Sequence, residues 1–427
     1  MKISLIHFLG FFSVSVITGL DFSYASVPSN TDTIYHKDVA SLRLFSENAP
    51  LGIAIIELNG GASLVLQFDD LRSGNRRFRY EIFHADKNWN QDDLNEIDYI
   101  QGFNRSQIKT FAYSTNRNID YTHYSLRIPN ADWRPKISGN YLMHVYEDLG
   151  KDQREYIFTR RFMINDKKVT IQPLLVRPTD LAKYRTHHEF DVNVNIKEFP
   201  IYNSRTEITL AVMQNGRWNT LIGDLKQNRD KVDHLVFDYI DKISFPAGKE
   251  FRYFDIRSLR FRSRFVKKIT ENTDETIVTL TADKVRDQFN FVTDPDADGN
   301  YTIYNNDRPD GNISSEYAWV DFTLQSPEFT ENKVYLFGAF TDWQCKEDFL
   351  MKYDLASSSY LGSAFLKQGY YNYTYAVMDR QGRYDLSTVD GDWYETENEY
   401  QFMIYYRPFG SRYDQLISYK TLKSTFN

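Results

Sequence analysis

Cysteine is nearly absent: Cys345 is the only one in 427 residues. Internal disulfides are therefore excluded, and the fold must be held by packing. A lone thiol in this setting reads as a small buried apolar group rather than a nucleophile. Long apolar runs are also missing. Beyond the first twenty residues no stretch approaches the roughly 20 apolar residues that a membrane helix needs. No glycine-rich phosphate loop, no G-x-S-x-G elbow and no cysteine-nucleophile context occurs. The formal net charge of -7 is small for this length. It favours solubility and argues against general nucleic-acid binding. The expectation is a protein that is not an enzyme and carries no cofactor. A hydrolase on a β scaffold survives only as paired carboxylates in a cleft.

The first residues are the exception to the missing apolar runs. Met1-Lys2 is a short basic start, Ile3 to Leu20 is apolar, and Ser23-Tyr24-Ala25 places small residues at the minus-three and minus-one positions. This pattern predicts a secretory signal over residues 1–25, cleaved after Ala25. An uncleaved anchor is the rival reading. A cysteine at the cleavage point would mark a lipid-anchored protein, and none is there.

Aromatic residues are plentiful, with Tyr 31 and Phe 31. Both favour strands, and tyrosine also favours interfaces. Alternation of period two recurs at 63–68, 78–83, 141–146, 156–162, 190–196 and 370–377. Turn signals such as Asn59-Gly60-Gly61 and Ser138-Gly139-Asn140 punctuate it. Only Asp92 to Ile100 has helical spacing, and it reads as a short helix or ordered loop. No fixed-period repeat occurs, which speaks against a solenoid or propeller. The predicted fold is all-β, with tandem immunoglobulin- or E-set-like sandwiches. The predicted domains are 26–167, 168–316 and 317–427. The Pro173 and Pro178 region reads as an edge strand or linker. Asn305 to Ser315 reads as a long loop or border.

Several local patterns could carry chemistry, and each has a plainer reading. Asp294-Pro295-Asp296-Ala297-Asp298-Gly299 opens like a calcium loop. Its twelfth position is Asn305 rather than a bidentate glutamate, so a carboxylate-capped turn is the expectation. His84 and Asp86 would share one strand face, with no third ligand in view. His187 and His188 would face opposite ways. Phe337 to Trp343 looks like the early segment of glycogen- and starch-binding modules, where a surface Trp343 could stack on a sugar. A Trp closing the sandwich is the plainer account. In Leu259 to Phe265, a strand would put Leu259, Phe261 and Phe265 on one face. Arg260, Arg262 and Arg264 would then form a cationic stripe on the other. That stripe suits an acidic partner or anionic head groups, or simply discourages edge pairing.

Colinear segments resemble one family. They are Gln67-Phe68-Asp69-Asp70-Leu71, Ile82 to Trp89, Ser114-Thr115-Asn116, Tyr121 to Tyr124 and Ile137 to Leu142. Glu250 to Leu259 and Leu366 to Tyr373 continue the series. Together they look like the plug proteins of the Bacteroidetes type IX secretion system, formerly catalogued as a domain of unknown function. One departure is Ala85, where the family often carries cysteine. The resemblance implies a periplasmic protein associated with the outer membrane through a partner, the giant translocon β-barrel, whose periplasmic opening it closes at rest. It brings no catalytic residue and no cofactor. A periplasmic carbohydrate-binding sandwich, resting on Trp343 and the aromatic content, is the alternative.

Overall fold

Alternating burial builds the first sandwich. In strand Leu64–Asp70, Leu64, Leu66 and Phe68 point inward. In strand Phe78–Ala85, Phe78, Tyr80 and Ile82 do the same. The computed structural model describes residues 28–115, 118–151, 153–286 and 296–425. The expected signal and its cleavage point lie outside them.

Two sheets enclose that core. One runs in the order Thr33–Ile34, Gln153–Asn165, Gly139–Gly150, Phe78–Ala85, Arg105–Gln107. The other runs Val39–Ser46, Leu64–Asp70, Thr122–Ile128, Thr110–Tyr113. Phe68 packs against Phe78, Tyr124 and Phe158 at centroid distances of 5.1 to 5.3 Å. Burying each such ring contributes roughly 1.5–3 kcal/mol. The helix-like stretch becomes a single turn, Glu96–Tyr99, closed by a capping box between Asn95 and Asp98.

The second sandwich pairs Thr170–Val176, His187–Asn195, His234–Phe237 and Arg229–Lys231 in one sheet. Pro173 lies on the edge strand of that sheet, where its missing N–H is tolerated. The opposing sheet runs Ile222–Leu225, Ile208–Gln214, Glu399–Tyr406, Gln415–Lys423. The last two strands of the chain thus complete the middle sandwich and do not belong with the region that begins at 317. Their inward residues Tyr400, Phe402, Ile404 and Ile417 fill its core.

The third unit is inserted into the second. Strands from Arg252–Asp255 to Tyr384–Asp385 form one curled eleven-stranded sheet. Its core stacks Phe254 on Tyr371 at 5.1 Å and packs Tyr373 against Phe322 at 5.2 Å. The chain enters and leaves through two adjoining segments. Trp393 N donates to Gly248 O at 2.8 Å, Gly248 N to Asp392 Oδ1 at 2.8 Å, and Asn398 Nδ2 to Ala247 O at 2.8 Å.

The units meet through continuous seams. Ala85, Trp89, Leu142 and Met163 of the first pack on Met213, Met403 and Leu416 of the second. Within this seam Tyr405 Oη donates to Asn140 Oδ1 at 2.9 Å. Between the first and third units the seam is polar. Lys367 Nζ donates to Asp69 Oδ2 at 2.6 Å, Tyr317 Oη to the same oxygen at 2.7 Å, and His123 Nδ1 to Asp69 Oδ1 at 2.7 Å.

Candidate interaction surface

The cationic stripe is not a strand. Strand Arg252–Asp255 ends, and Val266–Glu271 begins only after a tight looped segment. Two carboxylates explain this. Asp255 accepts from Arg257 N at 3.0 Å and Arg257 Nε at 2.9 Å, and its own carbonyl accepts from Ser263 Oγ at 2.7 Å. Asp307 accepts from Ser258 Oγ at 2.9 Å and Leu259 N at 3.3 Å. Side-chain acceptors that capture local backbone donors compete with a ladder, and here they win.

The expected two-faced pattern is lost as a result. Leu259 packs on the third core and Phe265 on Tyr253, 4.9 Å between centroids. Phe261, expected to be buried beside them, is 75% exposed. Arg260, Arg262 and Arg264 are all exposed. Arg262 Nη1 reaches Lys267 O at 3.1 Å, and the Arg264 guanidinium lies 4.9 Å from the Phe265 centroid. Among the described residues none of the three forms an ion pair with a carboxylate. The result is a protruding loop with one bare aromatic ring and three uncompensated cations.

The histidines are structural. His84 is buried, with Nδ1 against the Asp92 carboxylate, Nε2 3.2 Å from Ser138 O, and its ring edge-on to Tyr141 at 4.9 Å. Asp86 turns elsewhere and accepts from Asn88 N and Asn90 N at 2.9 and 2.8 Å. His188 donates from Nε2 to Tyr394 O at 2.6 Å and accepts from Tyr400 Oη at 2.7 Å. Burial lowers it to about 4, so it is neutral near pH 7.

The acidic turn spends its oxygens on backbone. Asp294 and Pro295 lie outside the described residues. Asp296 accepts from Phe251 N and, at 2.7 Å, from Asp298 N, and burial raises its pKa to about 7. Asp298 pairs with Lys423 at 3.3 Å. Trp343 is half-buried, with Phe337 at 5.7 Å and Phe251 at 5.9 Å. It is therefore no free stacking platform. Burial pushes the Cys345 thiol up to about 11, which suppresses the reactive thiolate.

One feature had no sequence signal. A cleft of about 990 Å³ opens where the three units meet, with Arg43, Trp218, Tyr301, Trp343 and Gln401 among its walls. These residues are far apart in the chain, and only the insertion topology brings them together.

Geometry of this kind defines an all-β protein of several packed units. Its exposed features are a cationic loop and an inter-unit cleft. The comparisons agree. Residues 39–166 match the family described as type 9 secretion system plug protein 1st domain, so the first sandwich belongs to that plug-protein family. The family is a structural component of secretion. A crystal structure of a hypothetical protein from Parabacteroides merdae is 30% identical, with a TM-score of 0.87 over 92% of this chain and 99% of that one. No curated protein matches the chain.

Proposed function

We propose that this chain is a periplasmic stopper that docks on the giant outer-membrane translocon barrel of the type IX system and closes its periplasmic opening at rest. The observation that carries the reading is the family match over the first sandwich. Physical fit supports it. A stopper must be stiff, and close-packed interiors resist deformation. Here an apolar seam joins the first and second units and a buried polar seam joins the first and third. Among the described residues no helix is long and apolar enough to cross a membrane. Attachment to the outer membrane would then come through the partner.

The loop carrying Arg260, Arg262 and Arg264 is the proposed contact for an acidic partner surface. Uncompensated guanidinium groups gain most from carboxylates on another chain, because no internal pair must be broken first. The test is co-purification with the barrel from resting cells. Recovery of the native chain is expected, with weaker recovery of the Arg260→Glu/Arg262→Glu/Arg264→Glu variant as salt rises. A barrel that never brings down the native chain would defeat the stopper reading. Unchanged recovery of the variant would defeat only the loop's part in it.

A further inference from the structure

The cleft at the three-way junction has the geometry of a peptide site. Strand Val39–Ser46 is terminal in its sheet. Five consecutive residues of it, Leu42 to Ser46, line the cleft. A strand seen face-on contributes every second residue; a consecutive run means that its edge is presented. Among the described residues no strand pairs with that second edge. Only Tyr301 Oη, at 3.4 Å from Leu42 O, and Ala49 N, at 3.0 Å from Ser46 O, reach it. Such edges accept added strands.

The floor is different. Glu399, Gln401, Tyr419, Thr421 and Lys423 line it. They alternate along two paired strands, with Glu399 opposite Lys423 and Gln401 opposite Thr421. The floor is thus a polar sheet face that offers amide, hydroxyl and charged groups to a backbone lying over it. Trp343 and Tyr301 of the inserted unit close the remaining side.

Charge singles out one residue. Arg160 pairs with Asp342 at 2.9 Å, Arg161 with Asp32 at 3.0 Å, and Lys423 with Asp298 at 3.3 Å. Arg43 has no carboxylate partner among the described residues. Its Nη2 donates to Pro50 O at 2.7 Å, and its guanidinium lies 4.6 Å from the Phe45 centroid and 5.6 Å from that of Tyr301. Burial disfavours its charge, and only tyrosines oppose that. The lining acids are Asp32, Asp296, Asp298, Asp342 and Glu399. Three of them are paired with the cations above, Asp296 serves backbone donors, and Glu399 accepts from Gln401 Nε2 at 2.8 Å.

We propose that the cleft binds an extended, carboxylate-bearing peptide segment of another protein, which pairs with the free edge of Val39–Ser46 and places a carboxylate on Arg43. A rigid arginine held over aromatic rings suits a carboxylate in two-point contact. The volume sits at the upper end for small-ligand clefts, and a presented strand edge has no use for a small anion. The inference concerns the isolated chain and does not depend on docking to the barrel.

The experiment uses the full mature chain and fluorescein-labelled peptides read by anisotropy. The probe is a capped decapeptide of alternating threonine and glutamate. Its controls carry lysine for glutamate, or proline for threonine. The expected result is saturable binding of the glutamate peptide, weakened about tenfold or more by Arg43→Gln and lost with the lysine or proline peptide. A thermal melt of the variant verifies that it folds. No saturable binding up to ~1 mM overturns the proposal. Binding that ignores Arg43→Gln overturns it as well. Equal binding of the proline peptide would mean an anion site without strand pairing and also overturns it.

Discussion

Removing the cation alone from the seam between the first and third units, as in Lys367→Met, will cost far more than removing both charges. Asp69 and Lys367 are at most 1% exposed and lie 2.6 Å apart. At an effective dielectric of about 20 their attraction is about 6 kcal/mol. Part of it offsets the cost of taking both ions out of water, and burial does hold Lys367 below its ordinary value against the pull of Asp69. Losing Lys367 leaves Asp69 buried with only two side-chain donors, Tyr317 and His123. It also strips the Asn312 carbonyl of its 2.6 Å donor. Breaking one side of a buried pair costs about 3–5 kcal/mol. The double variant Asp69→Asn/Lys367→Met removes the stranded charge and should recover at least about 1–2 kcal/mol of that loss. The assay is urea unfolding followed by tryptophan fluorescence, with hydrogen exchange of the amides around 310–318 to localise the opening. A Lys367→Met loss below about 1 kcal/mol would mean that the pair behaves as a surface pair, because those are worth that little. A double variant less stable than the single one would mean that side-chain packing, not charge, is what the seam needs.

Two further outcomes follow from burial. Where the inserted unit joins the second, burial raises Glu250 to about 8, Asp296 to about 7 and Asp392 to about 6. Glu397, Asp298 and Lys423 face this group of carboxyls. Their folded values lie above the unfolded ones near 4. The stabilising term is therefore complete below about pH 4 and is lost as pH rises through about 6 to 8. Urea midpoints should fall between about pH 4 and about pH 8, and less so in Glu250→Gln; equal slopes would mean that Glu250 ionises freely in the fold. Cys345, with its thiol near 11, should react with iodoacetamide at about pH 8 at least two orders of magnitude more slowly than a free cysteine peptide. A rate close to the peptide's would show that the thiol opens to solvent.

Much of the fold could be read from alternation, because a half-buried strand writes its inward face into every second residue. The predicted strands at 78–83, 141–146 and 370–377 fall within Phe78–Ala85, Gly139–Gly150 and Gly369–Met378, and the one at 63–68 starts a residue ahead of Leu64–Asp70. Alternation says which side a residue faces and nothing about which strand lies beside it. Tyr400, Phe402 and Ile404 carry the same pattern whether their neighbour is Ile208–Gln214 or a strand of the inserted unit. Their true partner lies about two hundred residues back, a separation that costs about 3 kcal/mol more loop entropy than a short hairpin. The chain could therefore close the second sandwich late, and no local signal records it.

The same physics separates the two candidate contact features. The arginine loop was visible by composition, since three arginines in five residues rarely face inward. Its conformation was not visible, because Asp255 and Asp307 capture the backbone donors a strand would use, and Asp307 lies far along the chain. The cleft could not be read at all. Arg43, Trp343 and Gln401 become neighbours only because one sandwich is inserted in another and both lean on a third. A hinge at the crossover segments 247–251 and 391–398, with the polar seam at Asp69 and Lys367 broken as well, would dissolve the cleft while leaving every sheet intact. The hydrogen bonds from Trp393 to Gly248 and from Asn398 to Ala247 close that hinge. The rigidity a stopper requires and the cleft's ability to hold a strand therefore rest on the same contacts, these bonds together with the two seams.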